Sequence, residues 1–212
     1  MPGLRIAVAN QKGGTGKTTL ALNLAAGLQR RASTLVLDAD PQASISQWAA
    51  MGDTGGHLPA VQAMAQDDVS ARIAQGIREY RHVVIDCPPT LRNATVGDVL
   101  NSVDMLLVPI QPSPVDLWAS VDITAAVRNA RQRNPRLKAF VVLNQLDSRN
   151  ALSRSVREAL TELEFPTLRA GLARRAAYRS AAVEGTSVYG LGHRGKAAAR
   201  EIEALIQEVL QS

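Results

Sequence analysis

The stretch Gln11-Lys12-Gly13-Gly14-Thr15-Gly16-Lys17-Thr18 combines three glycines with two lysines and two hydroxyls. Glycines let backbone N–H groups close around phosphate oxygens, and a helix that opens directly behind them adds a favourable dipole. Lys17 is spaced to contact β- and γ-phosphates, and Thr18 to offer a hydroxyl to Mg²⁺. The implied ligand is ATP with Mg²⁺. Its candidate contacts are Gln11, Lys12, Gly13, Gly14, Thr15, Gly16, Lys17, Thr18 and Thr19. One departure stands out: Gln11 replaces the first glycine of G-x-x-x-x-G-K-[ST], and Lys12 follows it as a second lysine.

Two further segments carry carboxylates suited to this chemistry. Asp38-Ala39-Asp40-Pro41-Gln42 follows an apolar run, and its proline carries the chain away from a strand end. By itself a D-x-D-P segment also fits an Asx turn or a helix cap. Val83-Val84-Ile85-Asp86-Cys87-Pro88-Pro89 delivers an aspartate at the end of a second apolar run and then turns rigidly. Phosphate-bound Mg²⁺ keeps several waters and needs only one or two protein oxygens, so Asp86 is expected to hold it through water. Cys87 reads as a small packing residue, since no His and Asp/Asn pattern accompanies it. Asn144 carries an amide able to pair with a purine edge.

These residues need a frame. Short apolar runs at 4–9, 34–38, 82–86, 104–110 and 139–143 alternate with helical spacings such as 17–30, which predicts an α/β fold: a mostly parallel twisted sheet with helices on both faces. Ligands in such sheets gather at the carboxyl ends of the strands, where Asn10, Asp38 and Asp86 fall. Residues 51–70 read as a loop through Gly52, Gly55, Gly56 and Pro59, followed by a short helix at 68–79. A C-terminal helix is expected over 195–211, with Ile202, Leu205, Ile206, Val209 and Leu210 on one face. Length favours one domain over residues 1–212. With no apolar run of 18 residues, no signal-peptide profile and one cysteine, a cytoplasmic setting is expected.

The deviant loop, with its extra lysine, resembles the MinD/ParA group of P-loop ATPases. The likeness runs over nearly the whole chain, through the two aspartate segments, Pro109–Asp116, Leu146–Arg149 and Ala182–Val188. It implies catalytic roles for three residues. Lys17 holds the nucleotide, Lys12 reaches across a homodimer to the partner's nucleotide, and Asp40 places or activates the attacking water. It further implies that Asp38 supports the magnesium shell, giving Thr18, Asp38 and Asp86 as the metal set. Pro112 is implied to lie near the base and dimer interface. Within the group the chain is similar to small ParA proteins, and the nine residues before Asn10 leave no room there for a helix-turn-helix. The resemblance thus implies a slow, partner-stimulated ATPase on the nucleoid that dimerises with ATP, binds DNA nonspecifically and answers to a ParB-like or other adaptor. Plasmid or chromosome segregation is the expected role. A protein cargo such as a carboxysome or chemotaxis cluster is the alternative, ahead of a MinD-like membrane ATPase or a metabolic P-loop synthetase.

Charge supports the nucleic-acid part of that expectation. The excess of +5 lies wholly in the second half, and residues 128–200 hold fifteen basic against five acidic residues. Phosphate contacts require positive charge without base readout. Candidate DNA contacts are Arg169, Arg174, Arg175, Arg179, Arg194 and Lys196. Membrane binding is disfavoured, because the last twelve residues contain Glu201, Glu203 and Glu208 but no Lys or Arg. An iron–sulfur carrier would need more thiolates than Cys87.

Overall fold

The computed structural model describes residues 3–52, 57–64, 68–90, 94–113, 121–147, 160–161 and 164–212. Its chain order is β1 (Arg5–Val8), α1 (Lys17–Gln29), β2 (Thr34–Asp38), α2 (Ser44–Ala50), β3 (Ala60–Ala63), α3 (Val69–Glu79), β4 (His82–Asp86), α4 (Ala94–Ser102), β5 (Met105–Ile110), α5 (Val121–Arg133), β6 (Lys138–Leu143), α6 (Ala176–Val183), a 3₁₀ turn (Gly192–Gly195) and α7 (Lys196–Gln211). The six strands form one parallel sheet ordered β3-β2-β4-β1-β5-β6. The expected parallel α/β architecture is present, with one strand more than the sequence indicated.

That strand, β3, lies in the stretch read as loop. It is only four residues long and sits at the sheet edge with no residue fully buried, so it lacks the apolar signature of the central strands. Its backbone pairing with β2 places it, with Leu35 opposite Ala60 and Asp38 opposite Ala63.

Successive side chains of the central strands feed two cores. Ala7, Leu35, Val83, Ile85 and Leu106 pack with Ile73 of α3, Val96 and Val99 of α4 and Ile123 and Val127 of α5. Ile6, Val8, Val36, Val84 and Leu107 face the other way, toward α1, Trp48 of α2 and α7. Helix α1 is wedged between sheet and α7, which is why Leu20 through Leu28 are buried on every side. The apolar face expected on α7 exists, and the core consumes it: Ile202, Leu205, Ile206 and Val209 are all buried. No helix among the described residues is long and apolar enough to cross a membrane.

Strand register sets the site. Asp38 lies opposite Asp86, and Asp86 lies opposite Val8, so the two carboxylates and the start of the glycine loop share one level at the carboxyl edge.

Candidate functional site

The loop after β1 is shaped by two left-handed glycines, Gly14 (φ 76°) and Gly16 (φ 90°). A side chain at Gly16 would also overlap the Asn144 amide, so both backbone angle and space demand glycine there. Three side chains hold the loop's carbonyls from the neighbouring strand ends. Asn144 Nδ2 donates to Thr15 O at 2.6 Å, while Gln111 Nε2 and Gln145 Nε2 donate to Gly14 O at 2.8 and 3.0 Å. Asn10 braces the loop's entry, giving its amide to Pro109 O (2.8 Å) and accepting Lys12 N (3.2 Å). With the carbonyls tied outward, the loop's N–H groups are left to face an anion.

Lys17 opens α1 and is 7% exposed. Its ammonium folds back to Lys12 O at a long 3.4 Å. Burial lowers its pKa, opposed by Asp86, Asp40 and Cys87. A buried cation with so weak a contact is suited to receiving phosphate oxygens.

Asp86, 1% exposed, accepts the Thr18 hydroxyl on Oδ2 at 2.8 Å. Its Oδ1 is buried with no hydrogen-bond partner among the described residues. Burial, with repulsion from Asp38 and Asp40, pushes this carboxyl up to about 7 against the pull of Thr18 and Lys17. An orphaned buried carboxylate oxygen beside a hydroxyl is the oxygen donor set a hydrated Mg²⁺ takes, and a cation there would restore the ionised form. The residues present therefore fit the metal.

Asp38 differs. Its Oδ2 accepts both Ser46 N (2.9 Å) and Ser46 Oγ (2.8 Å), and its Oδ1 accepts Asp40 N at 3.3 Å. The carboxylate is committed to the first turn of α2, so it ties that helix to the site and has little lone-pair capacity left for metal. Asp40 closes an Asx turn onto Gln42 N (3.0 Å) and stands nearer the surface. Burial, then Asp86, pushes the Cys87 thiol up, so it stays protonated in the core.

A cleft of about 310 Å³ adjoins the loop at Gly16 and Thr19, and Asn144 and Gln145 line it. Its far wall is Ala173, Arg174, Arg175, Tyr178, Arg179 and Ala182. Three of the six arginine-rich candidates, Arg174, Arg175 and Arg179, thus stand beside the loop, apart from Arg169, Arg194 and Lys196. Arg175 is paired with Glu201 (2.6 Å) and Arg194 with Glu184 (2.8 Å). Arg169 and Lys196 are exposed. Pro112 is half-buried just after β5, whereas Pro114, Ser148 and Arg149 lie outside the described residues.

A strand-borne glycine loop, a buried lysine and a hydroxyl-linked aspartate agree with what sequence comparison finds. Residues 6–188 match the CobQ/CobB/MinD/ParA nucleotide binding domain. The chain belongs to that family. It is 41% identical over 210 residues to the maintenance of carboxysome distribution protein A of Halothiobacillus neapolitanus, covering 98% of this chain and 96% of that one. The chromosome partitioning protein ParA of Caulobacter vibrioides is 31% identical over 71% of this chain and 73% of its own. Among solved structures, the septum site-determining protein MinD of Pyrococcus horikoshii with Mg-ADP superposes with TM-score 0.76 at 19% identity, covering 97% of this chain and 95% of that one. An alanine-substituted McdA of Cyanothece with ATP gives TM-score 0.71 at 16% identity, covering 99% and 96%. At these identities the two structures establish the fold.

Sequence reading named the loop, both β-strand aspartates and Asn144, which the fold brings to one edge. It missed Gln111, Gln145 and Ser46. Their only sequence signal is that Gln111 and Gln145 are polar and lie just past strand ends, while Ser46 is a hydroxyl in the first turn of α2.

Proposed function

We propose that this chain is an ATPase that positions a protein cargo, of the kind the carboxysome distribution proteins serve. The observation that carries this reading is the 41% identity spread along nearly the whole of both chains. It displaces plasmid or chromosome segregation as the main expectation, since the partition relative matches a smaller share of the chain less closely.

The chemistry follows from the site. The glycine loop and Lys17 hold the phosphates, and the cleft beside Asn144 seats the base. Thr18 and Asp86 would hold Mg²⁺, which would supply positive charge against the phosphate oxygens. Asp40, close to Lys17 and less buried than Asp86, orients the attacking water. Lys12 supplies a second cation across an ATP-dependent homodimer. Asp38, locked to Ser46, passes the state of the site to α2. The dimer binds nucleoid DNA nonspecifically through exposed arginines, and an adaptor on the cargo stimulates hydrolysis.

The test is made in the source cell with Lys17→Ala at the native locus. Loss of even carboxysome spacing with normal plasmid and chromosome inheritance is expected. Normal spacing with failed inheritance would replace cargo positioning by DNA partition.

A further inference from the structure

The cleft beside the loop is walled by two separate segments of the C-terminal half of the chain. One, Asn144–Gln145, follows β6 and is tied to the phosphate loop. The other, Ala173–Tyr178, has no contact of that kind with the loop among the described residues. Its backbone runs alongside the first: Leu146 N donates to Leu172 O at 2.9 Å and Arg174 N to Leu146 O at 2.8 Å. What fixes its side chains is a carboxylate behind it. Glu201 of α7 accepts Ala173 N (3.2 Å) and the Tyr178 hydroxyl (3.0 Å) on Oε2, and Arg175 Nε (2.7 Å) and Nη2 (2.6 Å) on Oε1. All three donor residues line the cleft, and Glu201 does not.

We infer that Glu201 is a positioning residue for the nucleotide base, a role that rests on reading the cleft as the base seat. One half-buried carboxylate satisfies four donors from three wall residues, and charge-assisted bonds to a fixed acceptor hold a guanidinium far better than packing alone. Without that charge, Arg175 loses its anchor and swings into or out of the cleft. Tyr178 keeps only a long bond to Ala198 O at 3.4 Å. The loop itself is untouched, because Glu201 contacts none of its residues. The effect is therefore confined to the base.

Glu203, two residues along α7, provides a matched control. It binds Arg31 and Tyr189, neither of which lines the cleft. Dissociation constants for ATP and for inorganic tripolyphosphate are measured by calorimetry on the full chain carrying Glu201→Gln or Glu203→Gln, with Tm recorded for each. Glu201→Gln is expected to weaken ATP about tenfold and tripolyphosphate less than about twofold. Glu203→Gln is expected to lower Tm similarly while both affinities stay at the wild-type level. Tyr178→Phe, which removes one donor and keeps the ring, is expected to weaken ATP about threefold and decides the matter should Glu201→Gln fail to fold. Equal weakening of ATP and tripolyphosphate by Glu201→Gln would overturn the proposal, as would unchanged ATP affinity in a folded Glu201→Gln or Tyr178→Phe variant. Wild type binding tripolyphosphate as tightly as ATP would instead remove the base seat, and the proposal with it.

Discussion

At the carboxyl edge of the sheet, Lys17 and Asp86 are buried beside Asp38, which holds the first turn of α2. In the C-terminal half most of the described cations are exposed, and three hold a carboxylate: Arg175 with Glu201, Arg194 with Glu184, Arg128 with Glu164. In the first region Lys17 keeps one long contact and Asp86 one oxygen without a partner among the described residues, as a ligand site would. The second settles part of its charge internally, so its count of arginines overstates the field it presents. An orphaned oxygen on Asp86 is therefore a sharper functional signal than fifteen basic residues in a row of seventy-three.

The comparison breaks first at Lys17. Lys17→Ala is expected to weaken ATP by more than about 100-fold in calorimetry, because the proposed function gives this buried cation the β- and γ-phosphates. A small loss would mean that the loop's backbone does the binding. Next, Asp40→Ala is expected to slow steady-state ATP turnover by about 100-fold while ATP affinity is retained. Lys12→Ala is expected to keep nucleotide but to sediment as a monomer with ATP. Retained dimer and turnover in that variant would remove its role in trans.

Asp86 supplies a pH-dependent prediction. Its folded-state pKa, raised to about 7, lies above the unfolded value near 3.8, so the folded protein binds the extra proton between these values. Stability of the nucleotide-free protein should therefore fall as pH rises from about 4 to 7 on this account, then level off. Asp86→Asn removes the charge, and is expected to raise nucleotide-free Tm by roughly 5 °C at pH 8 and hardly at all at pH 4, while ending Mg²⁺-dependent turnover. An equal rise at both pH values would show that burial of the charge is not the cause.

The smallest effect sharpens the other side. Glu184→Ala frees Arg194, and is expected to tighten ATP-dependent DNA retention about twofold and steepen its salt dependence, whereas Arg169→Ala should reduce the salt slope by about one. DNA retention that ignores salt or nucleotide would contradict an electrostatic contact by the dimer.

Much of the site could be read from the chain because its parts are local. Residues 11–18 need only their own glycines and the helix behind them, and Asp38 and Asp86 each end a run of apolar residues that can only be a buried strand. What escaped reading acts at a distance. Gln111, Gln145 and Glu201 reach their targets across 97, 131 and, for Ala173, 28 residues, and their sequence neighbours do not name those targets. Strand β3 escaped for a related reason: an edge strand of four half-exposed residues has pairing partners but no hydrophobic pattern.

The sequence by itself determined the phosphate loop, the alternation of strands and helices and the family, since each depends on neighbours in the chain and on glycine's freedom at positive φ. Only the tertiary structure decided that Asp38 faces Ser46 while Asp86 keeps an oxygen without a partner among the described residues, and that three arginines stand at the cleft beside the loop. Whether a charge is spent or available depends on what the fold sets within 3 Å of it, and spacing along the chain does not encode that.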